Sequence, residues 1–159
     1  YTFHPNGLVK SKEFAREKTI YEYKNKFRKV SRVLRTTFNS KGRSVKKETT
    51  NFKYDKKANL TFAQNSRGQK IKLTYDKQGR IRTIEDQAKK LVKIKYENRF
   101  GKPAFVERPG VGAITVAYTS TGGIKKVTSD QGPVVASQVA STFNNLLDII
   151  APATEELAL

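Results

Sequence analysis

Tyrosines at a constant interval constrain the fold of this chain most strongly. Tyr54, Tyr75, Tyr96 and Tyr118 stand 21, 21 and 22 residues apart. Each ends a short run in which apolar and polar residues alternate, as over residues 70–75. Alternation with a period of two is typical of a β-strand with one buried face. A fixed period of this length indicates an internal repeat of one supersecondary unit.

The residues after each tyrosine predict a tight turn. Gly79 follows Tyr75 by four positions, and Gly122 follows Tyr118 in the same way. Glycine at this place suits a turn that needs a positive φ. A second strand then runs back, for example over residues 80–85. Each unit is therefore predicted to be a strand, a tight turn, a strand and a longer link.

The first 49 residues contain weaker copies of the same unit. Phe3, Tyr23 and Phe38 precede similar turns, at spacings of 20, 15 and 16 residues up to Tyr54. We therefore predict a mainly β fold, an antiparallel sheet of stacked hairpins of about 21 residues that forms a curved sheet or a partial barrel. The repeat domain is assigned to residues 1–132, with residues 1–49 degenerate and residues 50–132 clearly repeated.

The C-terminal segment has the pattern of a helix over residues 133–151. Pro133 suits the first helical position, and Pro152 is expected to end the helix. A wide apolar stripe must be buried, and the apolar face of the sheet is the simplest partner; another chain or a membrane surface is the alternative. Residues 152–159 are expected to be a frayed tail or a linker. The stripe consists of Val135, Val139, Thr142, Phe143, Leu146, Leu147 and Ile150.

One repeat carries a family resemblance. The run from Tyr75-Asp76 through Gly79 to Ile81 resembles the YD repeat of RHS and teneurin-type proteins, and Tyr54-Asp55 has the same first pair. The resemblance covers residues 50–130 and implies large extracellular or secreted proteins whose repeats build shell-like β-structures, often described as carbohydrate-associated. Because 159 residues are too few for a whole shell, we expect a short relative or a fragment of a longer chain, without the family's encapsulating function.

The charge is concentrated in the repeat region. Residues 1–127 hold all 32 Lys and Arg and ten acids, a formal charge of +22, whereas residues 128–159 carry −4. A basic surface attracts polyanions, although it can also serve only to solubilise a sheet and block its edges. If the tyrosines point to the core, the alternating cations share the opposite face as a continuous field. The residues predicted to bind a polyanion are Lys53, Lys70, Lys72, Arg80, Arg82, Lys93 and Lys95.

Catalysis finds little support in the sequence. His4 is the single histidine and there is no cysteine, so a metal site built from His and Cys clusters is excluded. Phosphate-binding and nucleophile-elbow motifs are also missing. Asp55 and Asp76 are predicted to form Asx-turns with nearby N–H groups, and Glu85-Asp86 is interpreted as a turn. We predict no enzyme activity and no cofactor, although a glycan-active enzyme with two facing carboxylates stays an alternative.

The leading hypothesis is a non-enzymatic module, secreted, periplasmic or at the cell surface, that binds an anionic or carbohydrate polymer. The alternatives are a scaffold that binds a protein partner or the remainder of a longer chain, and a nonspecific nucleic-acid binder. The sequence starts without a methionine, which we interpret as a start after a cleaved leader or inside a longer protein. No apolar run approaches the roughly 20 residues of a membrane span.

Overall fold

The computed structural model describes residues 1–154, which form twelve strands and one helix. The helix, α1, spans Gly132–Thr154. The strands are β1 (Thr2–Phe3), β2 (Val9–Phe14), β3 (Glu17–Glu22), β4 (Arg32–Phe38), β5 (Ser44–Tyr54), β6 (Leu60–Asn65), β7 (Lys70–Tyr75), β8 (Ile81–Asp86), β9 (Leu91–Tyr96), β10 (Pro103–Arg108), β11 (Gly112–Tyr118) and β12 (Ile124–Ser129).

The strands form one antiparallel sheet whose spatial order follows the chain from β1 to β12. Within the described residues, β1 and β12 each have one neighbour, so the sheet is open. The predicted fold class is confirmed: the chain is mainly β, antiparallel and followed by one C-terminal helix. The order is a meander because each short turn returns the chain beside the strand it has just left.

A five-residue turn recurs along the chain. In the turn that starts at Asp76, the Gly79 N–H donates to the Asp76 carbonyl at 3.1 Å, and the Asp76 N–H donates to the Arg80 carbonyl at 2.9 Å. Gly79 has a φ of 81°, and the register shifts at Thr74/Tyr75. These features define a type I turn followed by a bulge. The same two bonds close the turns that start at His4, Asn39, Asp55, Asn65, Asp86 and Thr119.

The longer link predicted between units is therefore wrong. Residues 65–69 and 86–90 form the same tight turn as residues 76–80. In the turn that starts at Asp86, Lys89 takes the positive φ, at 57°, at the position that Gly79 holds in its own turn. Ala58 does the same with a φ of 65°. A non-glycine residue in this region costs about 1–2 kcal/mol, a cost that the bonds of the turn offset.

Residues 1–70 form a compact unit together with residues 147–154. Its buried side chains alternate along the strands, as with Val33 on β4 and Phe52 on β5. Tyr21 is 1 % exposed, and Ile149 of α1 is fully buried in this unit. Leu147, which was assigned to the buried helical stripe, is instead 57 % exposed, so that assignment is wrong.

Residues 71–146 form the second compact unit. Its core contains alternate residues of β7, β8 and β9, among them Ile71, Ile84 and Val92, all fully buried. The first part of α1 packs against the sheet of this unit. Arg108 on β10 is buried and its guanidinium donates to the Thr142 hydroxyl at 3.0 Å. The packing is that expected for a helix covering the apolar face.

The helix continues through Pro152 and reaches Thr154 instead of ending at residue 151. A proline lacks an N–H, but its φ is compatible with helical backbone. Residues 155–159, which belong to the predicted tail, lie outside the described residues. In the described part of the chain, no helix is both long and apolar enough to cross a membrane.

Candidate functional site

Four tyrosines tie neighbouring turns together: Tyr54, Tyr96 and Tyr118 of the regular repeat, and Tyr23 of the weaker copies. Each of the four lies at or just after the end of a strand and donates its hydroxyl proton to a main-chain carbonyl at or near the start of the preceding strand. Tyr75, Tyr96 and Tyr118 were predicted to be core residues, whereas all three are half-buried. The ring therefore covers the turn before it while the hydroxyl satisfies a backbone group. The four bonds, 2.7–2.9 Å long, join Tyr23 to Val9, Tyr54 to Val30, Tyr96 to Ile81 and Tyr118 to Pro103.

The acids that follow the tyrosines hold the turns. Oδ1 of Asp76 accepts the N–H groups of Gln78 at 3.0 Å and Arg80 at 2.9 Å. Asp55 accepts two N–H groups in the same manner, which confirms the predicted Asx-turns. Asp86, at the end of β8, also caps its turn. Glu97 reaches three N–H groups with its longer side chain.

These hydrogen bonds favour the ionised carboxylates. The Asn59 N–H is the main cause of a lowered pKa at Asp55, against opposing desolvation. Desolvation alone would raise the pKa of Asp76 and of Glu97. The surrounding N–H donors outweigh it, with help from the Arg80 guanidinium at Asp76, so both pKa values are lowered. The three acids are therefore anionic turn elements and poor proton donors near neutral pH.

Two cations beside the turns cover the tyrosine rings. Arg80 donates from Nε to Oδ2 of Asp76 at 2.7 Å, and its guanidinium lies 4.4 Å from the centroid of the Tyr96 ring. Lys102 occupies the equivalent place beside Tyr118, with Nζ 5.6 Å from the ring centroid. Burial is the main cause of a raised pKa at Tyr96. Arg80 was predicted to lie on the outward cationic face, whereas it joins a turn to the next repeat.

Three of the predicted cations do share the outward face of β7 to β10. The cross-strand register aligns Lys72 with Glu85, and Lys93 with both Thr83 and Glu107. Lys72 Nζ lies 3.2 Å from the Glu85 carboxylate, and Lys93 Nζ lies 3.5 Å from that of Glu107. The predicted field of positive charge is therefore interrupted by acids. Exposed pairs of this kind contribute about 0–1 kcal/mol each.

The remaining predicted cations have separate surroundings. Lys95 lies on the same outward face, with Nζ 5.1 Å from the centroid of the Phe105 ring. Lys53 on β5 approaches the Phe62 ring at 5.4 Å. Arg82 is exposed at the irregularity that follows Ile81, and Lys70 is half-buried at the start of β7.

The comparisons with known proteins match this architecture. The model of the teneurin YD-shell family matches residues 9–156. The chain belongs to the teneurin YD-shell family. The resemblance of the Tyr-Asp repeats is thereby confirmed, and the chain is a YD-shell structural module. A search of curated proteins found no match.

Solved structures share the fold of this YD-shell module. "Crystal Structure of TcdB2-TccC3-Cdc42" has a TM-score of 0.54 at 14% identity, and "Crystal Structure of TcdB2-TccC3-TEV" has 0.54 at 13%. In both comparisons the matched region covers 82% of this chain and 7% of the chain in the solved structure. "Crystal Structure of TcdB2-TccC3" has a TM-score of 0.52 at 13% identity and covers 82% and 8%. The YD-shell chain thus spans less than a tenth of these chains, and identities this low show the fold alone.

A feature that sequence reasoning missed is an apolar pocket of about 490 Å³ in the unit of residues 1–70. Its walls come from distant segments of the YD-shell chain, including Leu8, Phe52, Leu60 and Ile150. Residues 27–30, from the connection between β3 and β4, form one side. A sequence signal existed, because this connection breaks the 21-residue period, but the segments that meet there could not be identified without the fold.

A smaller cavity of about 210 Å³ brings two carboxylates together in the same unit. Glu48 and Asp148 both line it, which bears on the alternative of a glycan-active enzyme. The Glu48 carboxylate is 3.0 Å from Lys46 Nζ and 3.7 Å from Arg67 Nε. The Glu48 side chain is therefore engaged in ion pairs with two cations. Within residues 1–154, no three of His, Cys, Asp and Glu are grouped to hold a metal ion.

Proposed function

We propose that this chain is a passive wall segment of a shell, whose sheet is fixed by its own side chains and extends by strand pairing at β12. The observation that supports this best is that the tyrosines and acids of the repeat form hydrogen bonds with the main chain of the sheet. Four tyrosine hydroxyls bond to main-chain carbonyls at or near the start of the preceding strand. The acids that follow Tyr54, Tyr75 and Tyr96 bond to turn N–H groups. The residues that define the repeat therefore serve the sheet itself.

The edge strand β12 supports the second half of the proposal. All six of its residues are exposed, and within residues 1–154 it pairs only with β11. Ile124 is opposite Tyr118, and Val127 is opposite Val116, so both point to the apolar face. Their side chains are 68 % and 55 % exposed. An open edge with exposed apolar side chains is a template for another strand.

Weak self-association through β12 is the expected result in sedimentation experiments. At about 0.5 M salt, where the Debye length falls to roughly 4–5 Å, repulsion between the basic chains is screened. The wild type should then associate at high micromolar concentration. The double variant Ile124→Lys, Val127→Lys should associate at least tenfold more weakly, because charged edge side chains block pairing. The control on the same strand, Lys125→Gln, Lys126→Gln, keeps both apolar side chains and removes edge charge, so it should associate at least as strongly as the wild type. Equal association of wild type and edge variant would contradict the proposal.

A second candidate function is binding of an anionic or carbohydrate polymer by a secreted or envelope module. The net charge of +18 and the common face of Lys72, Lys93 and Lys95 favour it. The triple change of these lysines to Gln should lower the salt concentration at which the protein elutes from heparin, because fewer counterions are released. Changing the exposed turn residues Lys56, Lys57 and Lys77 to Gln is the charge-matched control. If that control lowers the elution salt concentration equally, binding to heparin depends on the net charge of the protein and not on the face of Lys72, Lys93 and Lys95.

A further inference from the structure

We propose that the apolar pocket in the unit of residues 1–70 is a binding site for a long-chain carboxylate. The hydrocarbon chain would lie among the apolar walls, and the carboxylate would meet Arg28 and Lys29 at the mouth. This site is separate from strand pairing at β12 and from the outward lysines.

The pocket has the size and walls of a ligand site. Its volume of about 490 Å³ lies within the roughly 300–1,000 Å³ typical of small-molecule pockets. Val30 and Phe52 in its walls are 4 % and 5 % exposed, so part of the lining belongs to the packed core. Core side chains keep one conformation, and such a pocket stays largely formed without its ligand. Apolar walls bind hydrocarbon by removing its surface from water.

The charge around the mouth selects an anionic head group. Residues 24–29 include four cations and no acid, and one of these cations, Lys24, is paired with Glu22 at 2.9 Å. Among the lining residues of the pocket, Arg28 and Lys29 are the charged ones, and both are exposed. Arg28 is anchored, since its guanidinium donates to the Asn6 carbonyl at 2.6 Å. A guanidinium still has further N–H donors for a carboxylate, which it can bind in a bidentate manner.

The segment that forms the mouth departs from the repeat. Residues 23–31 link β3 to β4 and are the longest connection between strands in the described part of the chain. The connection is ordered by Asn25, whose Oδ1 accepts the N–H groups of Phe27 and Lys29, and whose Nδ2 donates to the Lys29 carbonyl at 2.6 Å. An insertion that breaks a regular meander and lines a pocket is where binding residues commonly occur.

Titration calorimetry with laurate, below its micellar concentration, tests the proposal on the full chain. We expect one laurate per chain. Dodecylamine has the same chain length and the opposite charge, and should bind at least tenfold more weakly. Butyrate should give no measurable heat, since it lacks the chain. Equal binding of laurate and dodecylamine, or several laurates per chain, would overturn the carboxylate site.

Variants locate the site. Arg28→Gln, Lys29→Gln should weaken laurate binding at least tenfold, whereas Lys125→Gln, Lys126→Gln removes the same charge outside the pocket and should leave it unchanged. Ala153→Phe fills the pocket from α1 and should abolish binding. Circular dichroism checks that each variant is folded. Full binding by a folded Ala153→Phe variant would place laurate elsewhere. The edge variant Ile124→Lys, Val127→Lys should bind laurate normally, so failure of one proposal is distinguishable from failure of the other.

Discussion

Replacing Gly112 with alanine is expected to lower the free energy of unfolding by about 3 kcal/mol, because overpacking and backbone strain each cost about 1–3 kcal/mol. A Cβ at Gly112 would lie 2.9 Å from Cγ of Gln131 and 3.0 Å from Cγ2 of Val135. Val135 is fully buried and cannot move aside without shifting α1. The φ of 152° adds strain for any residue with a side chain. Urea denaturation followed by circular dichroism measures the change.

Gly110→Ala is the matched control for this prediction. Gly110 also has a positive φ, at 77°, but a Cβ there would meet no atom within 4 Å. Gly110→Ala is therefore expected to lower the free energy of unfolding by about 1 kcal/mol, through backbone strain alone. Equal losses at the two glycines would mean that the contact between β11 and α1 contributes little to stability.

The second large effect is expected from removing three turn carboxylates together. The variant Asp55→Ala, Asp76→Ala, Asp86→Ala should lower Tm by roughly 10 °C, since each change leaves two turn N–H groups without their side-chain acceptor, and separate turns add. The corresponding triple Asn variant should show a much smaller fall in Tm. Asn39 and Asn65 already accept the same two N–H groups in their own turns. Similar melting of the Ala and Asn variants would contradict the role assigned to the acceptors.

Three turn carboxylates with lowered pKa values predict an acid limit to stability. The pKa values of Asp55, Asp76 and Glu97 are lowered in the folded chain. Their contribution to stability is complete above the unfolded values of about 4, and it is lost as the pH falls through the lower folded values. Denaturation midpoints should therefore be flat from pH 7 to about 5 and decline below about pH 4. The Asn variant should decline less steeply.

Much of the fold is local enough to be predicted from the sequence. The tyrosine period and the alternation around it predict the strands, because alternate residues of a strand face the buried side of the sheet and this pattern can be read within the strand itself. The Glu85-Asp86 pair was interpreted as a turn, but Glu85 lies in β8 and the turn begins at Asp86. Its equivalence to the glycine-containing turns was missed because Lys89, and not glycine, holds the positive φ. The end of the helix was predicted at residue 151, but the helix continues because the φ of a proline such as Pro152 is compatible with helical backbone.

The candidate sites depend on contacts that a single sequence does not give. Glu85 and Glu107 were visible as acids, but only the register places them opposite Lys72 and Lys93. Arg80 alternates with apolar residues like its neighbours, yet its position beside a turn directs it to Asp76 and Tyr96. The pocket combines residues that are up to about 140 positions apart, and no periodicity connects them.

The tyrosine bridges give the array a direction. Each donor lies at or just after the end of a later strand, and each acceptor lies at or near the start of the strand before it. During synthesis, the tyrosine of an emerging unit can therefore bond to a strand that is already in place, whereas the core of the first compact unit is completed only when α1 is made. Genes for such arrays can gain or lose whole units. When one unit is removed, the tyrosine hydroxyl of the next unit meets a main-chain carbonyl in the same position of the unit before.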